Sequence, residues 1–183
     1  MELNPALFIP AEMVGIGNRS VTLLDFPIEK QGMSNLCWAA VTASVCKYYG
    51  SPSLSQKQIV AKVTGKPICA TSPPVPYCND TADLGVALNS INHLGQSFNG
   101  SLSQEDVVSY LNDGHLIGCQ LYLPHLGGGH AVIIYGAFND TTGNLMLRIA
   151  DPNDPILLSM TYPQFLNNYR NVKGQWIRSY LTV

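Results

Sequence analysis

The stretch QGMSNLCWAAVTASVCKYYG, residues 31–50, sets Cys37 and Trp38 at the start of an apolar helical pattern, with the amide of Gln31 six residues upstream. A cysteine at the first turn of a helix faces unpaired N–H groups and about half a positive charge. That environment favours a thiolate, and it favours any oxyanion formed beside it. The spacing therefore predicts Cys37 to be a nucleophile. Such a thiol also needs an imidazole to take its proton and an acceptor to orient that imidazole.

Four histidines are available: His93, His115, His125 and His130. His93 falls near the end of a helical pattern and is expected at the surface or in a terminal turn. His115 opens a strand, and His125 sits in a loop. His130 follows three glycines and begins the run HAVIIYG, so it stands at the mouth of a buried strand, where the backbone at Gly129 can pass close to a substrate. That strand leads through NDTTG into NLMLRIADPND, which makes a hairpin. A fold axis between Asp140 and Thr142 puts His130 opposite roughly residues 151–153, within reach of an adjacent-strand side chain.

Asp151, Asn153 and Asp154 all lie there, in a DPNDP segment whose turn chemistry needs no catalysis to explain it. Asp151 directly follows the apolar run and is expected to be still on the strand, where sheet hydrogen bonds hold it rigid. It is the preferred partner of His130, with Asn153 the alternative of equal strand parity. Gln31 offers a side-chain N–H that, with the Cys37 backbone N–H, suits an oxyanion hole.

The elements that must position these groups are legible in outline. Residues 1–20 show no periodicity and are expected to form an irregular lead-in, followed by an extended segment to Gln31. The helix of Cys37 is expected to be capped by Ser34 or Asn35 and to end at Gly50. A second helix carries a capping box, Ser55 with Gln58, and stops at Gly65. A third places Leu84, Leu88, Ile91 and Leu94 on one stripe before Gly95, and a fourth runs from Ser103 to Asp113. After Gly114 the pattern becomes short apolar runs divided by turns, which predicts strands of a mostly antiparallel sheet, then a short helix in TYPQFLNNYR and a closing strand. The expectation is one α+β domain over residues 1–183, a central N-terminal helix carrying the cysteine packed against a C-terminal antiparallel sheet carrying His and Asp.

Composition limits the partners. The charged fraction is 12% and the net charge −2, with no run of Lys or Arg. Nucleic acid and anionic membrane are thus excluded as expected partners. The N-terminus has no basic region of a secretion signal and no apolar run is long enough to span a bilayer, so a soluble chain is expected, cytoplasmic or exported without such a signal. Of five cysteines none forms a C-x-x-C pair, and neither a metal nor another cofactor is implied. Cys69 and Cys78 bracket a proline-rich loop that a disulfide would close, while Cys46 and Cys119 lie in apolar patterns as buried thiols.

QGMSNLCWAA resembles the active-site segment of papain-like cysteine peptidases, and GHAVIIYGA is similar to the segment carrying their histidine. The chain is shorter than a typical papain and lacks the Asn-Ser-Trp segment. Its ADPND resembles instead the Asp-Pro of the compact bacterial C39-like and AvrRpt2-like (C70) branches, and Leu36 and Trp38 on either side of the cysteine favour the latter. The resemblance implies a papain-like fold and a cysteine endopeptidase acting on a protein or peptide. It implies Cys37, His130, Asp151 and Gln31 as catalytic residues and Trp38 with Gly129 at the substrate-binding side, Trp38 packing beneath the site. Two alternatives remain: a glutamine deamidase or transamidase using the same groups, and a catalytically silent binding module.

Overall fold

Alternation along the strands assigns their two faces to two apolar cores. In the computed structural model, which describes residues 22–71, 73–155 and 157–183, the long strand β4 (Gly128–Asn139) sends Ala131, Ile133 and Tyr135 into one core and Val132, Ile134 and Ala137 into the other. Both faces are covered, so the strand reads as a continuous apolar run rather than an alternating one. The lead-in expected over residues 1–20 lies outside the described residues.

The first core is built on helix α1 (Cys37–Tyr48), in which every residue from Cys37 to Cys46 is buried. A helix apolar on all sides belongs inside, and α1 packs against β4 with α2 (Gln56–Thr64) and α3 (Leu84–Ser90) around it. The second core lies across the sheet beneath α4 (Gln104–Asn112) and α5 (Tyr162–Asn167), which contribute Val107, Leu111 and Phe165. The remaining strands are β1 (Thr22–Leu23), β2 (Leu94–Asn99), β3 (Ile117–Leu123), β5 (Leu145–Ala150), β6 (Leu157–Thr161) and β7 (Gln175–Thr182). They follow the order β2-β7-β3-β4-β5-β6, with β1 pairing separately with β4, and each of these pairings is antiparallel. The α+β architecture, a helical first part against an antiparallel sheet, is the one expected.

Local signals held where a side chain could meet its own backbone. Ser55 and Gln58 form the capping box of α2, and Gly65 ends it in the left-handed conformation at φ +68°. Two expectations are corrected. The N-cap of α1 is Leu36 and makes no side-chain cap bond; Ser34 and Asn35 turn instead to Asn79 in a distant loop. The third helix stops at Ser90, not at Gly95, because Asn92 takes the left-handed conformation at φ +60°. Leu94 and Gly95 then start β2, where a Cβ on Gly95 would press on the Val183 side chain at 2.6 Å. That glycine serves close strand approach rather than helix termination. His93 lies in the turn that closes this helix, one of the two places expected for it, its N–H on the Leu88 carbonyl, and it is buried there with its ring between Ser51 Oγ and the Val183 carbonyl.

Candidate active site

Three elements converge at one end of the sheet: the N-terminus of α1, the start of β4 and the end of β5. The β4–β5 ladder runs from Asn139↔Leu145 to Ile133↔Ala150, and the same register carried three residues further brings His130 beside the segment after β5. His130 Nε2 lies 2.7 Å from Asp151 Oδ1. The hairpin axis read from the turn residues set His130 opposite roughly residues 151–153, and within that span it is Asp151 that the ring meets.

Asp151 is 1% exposed, and its two oxygens are separately held. Oδ1 accepts from His130 and from the Asn153 backbone N–H at 2.9 Å. Oδ2 accepts from the Tyr169 hydroxyl at 2.7 Å and from Arg170 Nη1 at 3.4 Å. Burial pushes this carboxyl up, but the His130 hydrogen bond and charge, with the Tyr169 and Asn153 donors, outweigh it and hold Asp151 below its ordinary value. An ionised carboxylate only accepts, so Nε2 of His130 carries its proton. Asn153 and Asp154 are exposed, and Asp154 pairs loosely with Arg170 at 3.8 Å.

With Nε2 committed to Asp151, Nδ1 is the ring nitrogen left for Cys37. Cys37 and His130 are each 8% exposed, and the His130 ring is in hydrogen-bonding reach of the Cys37 thiol. Burial works to lower the imidazole. The hydrogen bonds to Asp151 and Cys37 and the charges of both overcome it, and His130 is raised to about 9. At neutral pH the ring is therefore cationic.

The turn before α1 is fastened at several points. The Gln31 backbone N–H donates to the Pro152 carbonyl at 2.8 Å. Its side-chain Nε2 donates to the carbonyls of Met33 and Ser34 at 3.0 and 2.9 Å, while Oε1 is buried with no hydrogen-bond partner among the described residues. Asn79 accepts from the Asn35 N–H and donates to Ser34 Oγ, both at 2.9 Å. Trp38 is 1% exposed and donates its Nε1–H to the Asp80 carbonyl. It thus lies beneath the site and has no face to offer a substrate, which corrects its place among the substrate-binding residues. Gly129 is exposed at the start of β4, and a side chain there would collide with Gln120.

Asn79 and Asp80 directly follow Cys78, which forms a disulfide with Cys69. Cys46 and Cys119 are free and buried, as their apolar settings predicted. Beside the Gly32–Leu36 turn lies an apolar cavity of about 280 Å³ walled by Met33, Leu36, Val60, Pro73, Pro74 and the disulfide.

Sequence reasoning did not single out Tyr169 or Arg170. Nothing in the spacing of NNYRNVKG points to Asp151, because the contact arises only when the segment after α5 folds back over the end of β5.

A thiol at a helix N-terminus, an imidazole and a carboxylate on a helix-against-sheet frame define a papain-like cysteine peptidase. The chain matches the family described as papain-like cysteine protease AvrRpt2, peptidase family C70, over residues 20–170. It belongs to that family, and is a hydrolase whose substrates are proteins. No curated protein matches the chain. Among the described residues no helix is long and apolar enough to cross a membrane.

Proposed function

We propose that the chain is a cysteine endopeptidase in which Cys37, His130 and Asp151 form the catalytic triad and Gln31 completes the oxyanion hole. The observation that carries this reading is the buried 2.7 Å contact between His130 Nε2 and Asp151 Oδ1, with the ring's other nitrogen left for Cys37.

The reacting form in this reading is an ion pair of the imidazolium with Cys37 as its thiolate. Sγ attacks the scissile carbonyl carbon, an S–C bond forms, and the π electrons move onto oxygen. That oxyanion is held by the Cys37 backbone N–H, which no N-cap side chain competes for, and by Gln31 Nε2. One of the two carbonyl contacts of Nε2 gives way to the stronger, charged acceptor. His130 Nδ1–H protonates the leaving amine as the C–N bond breaks. Nδ1, now neutral, takes a proton from water, whose oxygen attacks the thioester. The S–C bond breaks, and the acid product leaves with the ion pair restored.

The test compares protein termini generated in a proteome by the wild type and by Cys37→Ala. New termini dependent on Cys37 establish peptide-bond cleavage. A one-unit mass gain on glutamine with no new termini assigns deamidation instead, and identical products from both proteins remove Cys37 from the reaction.

A further inference from the structure

Tyr169 is an aromatic residue 1% exposed in the second core, edge-to-face with Phe165 at 5.8 Å. A phenylalanine would fill that space as well. What a phenylalanine lacks is the hydroxyl, which donates to Asp151 Oδ2 at 2.7 Å, on the side of the carboxylate away from His130. Burial and the neighbouring carboxylate push the phenol far up, so the hydroxyl stays a neutral donor at any working pH.

The segment that delivers this hydroxyl is built at a conformational cost. Arg170, Asn171 and Lys173 all have positive φ, 49°, 63° and 55°, a region that non-glycine residues rarely adopt. Asn168 braces them, accepting from the Lys173 N–H and donating to Asn171 Oδ1, and Tyr169 closes on Gly174 as an isolated bridge. The tight loop sets Arg170 Nη1 on the same Oδ2 at 3.4 Å. One carboxylate oxygen is thus gripped from behind while the other faces the imidazole.

We propose that Tyr169, backed by Arg170, is a positioning residue of the peptidase reaction, its hydroxyl holding Asp151 Oδ2 so that Oδ1 stays aligned on His130 Nε2. The proposal rests on the triad reading above. Without the hydroxyl the buried carboxylate loses a charge-assisted bond, and it is free to turn away from the ring.

The experiment uses Tyr169→Phe and Arg170→Gln in the full chain. Turnover is expressed per folded protein, the folded fraction being measured by near-UV circular dichroism, so that unfolded protein does not count. The low-field proton resonance of the His130 Nε2–H bond is followed on acidification. Tyr169→Phe is expected to lower kcat about tenfold with KM unchanged, and to lose the resonance about one pH unit higher than wild type. Arg170→Gln, partly exposed and further away, is expected to move both in the same direction by less. It carries the test alone if Tyr169→Phe does not fold. An unchanged resonance midpoint, whether kcat falls or not, reduces Tyr169 to packing and overturns the proposal, as does a moved midpoint with normal kcat. Failure of the triad reading is separately visible as wild-type hydrolysis by Cys37→Ala.

Discussion

The backbone N–H of Gln31 donates to the carbonyl of Pro152 at 2.8 Å, joining the turn that leads into α1 to the turn that follows Asp151. The two halves of the site are therefore fastened main chain to main chain, and the placement of Gln31 against Asp151 does not depend on either side chain. Gln31→Ala keeps that bond. It is expected to lower kcat by roughly 10²-fold with little change in KM and in folding, the size associated with one oxyanion donor. Steady-state kinetics with circular dichroism checks this; a rise in KM alone would make Gln31 a substrate contact.

Asp151, Asn153 and Asp154 are separable by substitution. Asn153 reaches Asp151 only through its backbone N–H, and Asp154 is exposed. Asn153→Ala and Asp154→Ala are expected to stay near wild-type turnover, whereas Asp151→Ala loses 10²-fold or more, on the order of a disrupted triad orienter. Asp151→Asn is expected to keep part of the activity, because an amide oxygen still accepts from the ring. Turnover compared at equal folded fraction decides the assignment, and a collapse confined to Asn153→Ala would transfer the role.

The raised imidazole makes a signed prediction about stability. His130 titrates near 9 in the folded chain against 6.5 as its ordinary value, so the folded state binds the proton more tightly. Its contribution is full below pH 6.5 and is lost as pH rises through about 9. At the acid end Asp151, held below its ordinary carboxyl value, must stay ionised for the pair to persist. Urea midpoints of wild type and His130→Gln are expected to differ most at mildly acidic pH and to converge above 9. A gap that widens with rising pH would contradict the pairing.

The Cys69–Cys78 bridge closes a loop with a sequence separation of nine residues, and opening so short a loop costs about 2–3 kcal/mol by chain entropy. Cys69→Ser with Cys78→Ser is expected to lower Tm accordingly. Because Asn79 and Asp80 beyond the bridge hold Asn35 and Trp38, a loss of kcat at temperatures where the variant is still folded should accompany it. Differential scanning calorimetry with kinetics below the transition tests both, and an unchanged kcat would show that the Asn79 contacts survive without the bridge.

The sequence by itself determined the features that arise within a few residues or within one hairpin. The capping box of Ser55 and Gln58 and the left-handed stop at Gly65 are local backbone chemistry, visible wherever they occur. The β4–β5 hairpin is legible for the same reason. A turn and an alternation of period two fix which residues face each other, and counting outward from Asp140 and Thr142 set His130 opposite roughly residues 151–153, the span that contains Asp151.

Tertiary structure alone decided the rest, because those choices are competitions between local and distant partners. Ser34 and Asn35 are good caps, yet Asn79, more than forty positions away in the chain, takes their polar groups and leaves α1 to begin at Cys37 with Leu36 at the cap position and no side-chain cap bond. Leu94 continues a helical stripe, yet pairing with Thr182 makes it a strand residue. Tyr169 reads as an ordinary core aromatic until the loop at residues 170–173 turns it onto Asp151. Each of these outcomes depends on a group brought close only by folding, and a pattern of neighbours along the chain holds no record of it.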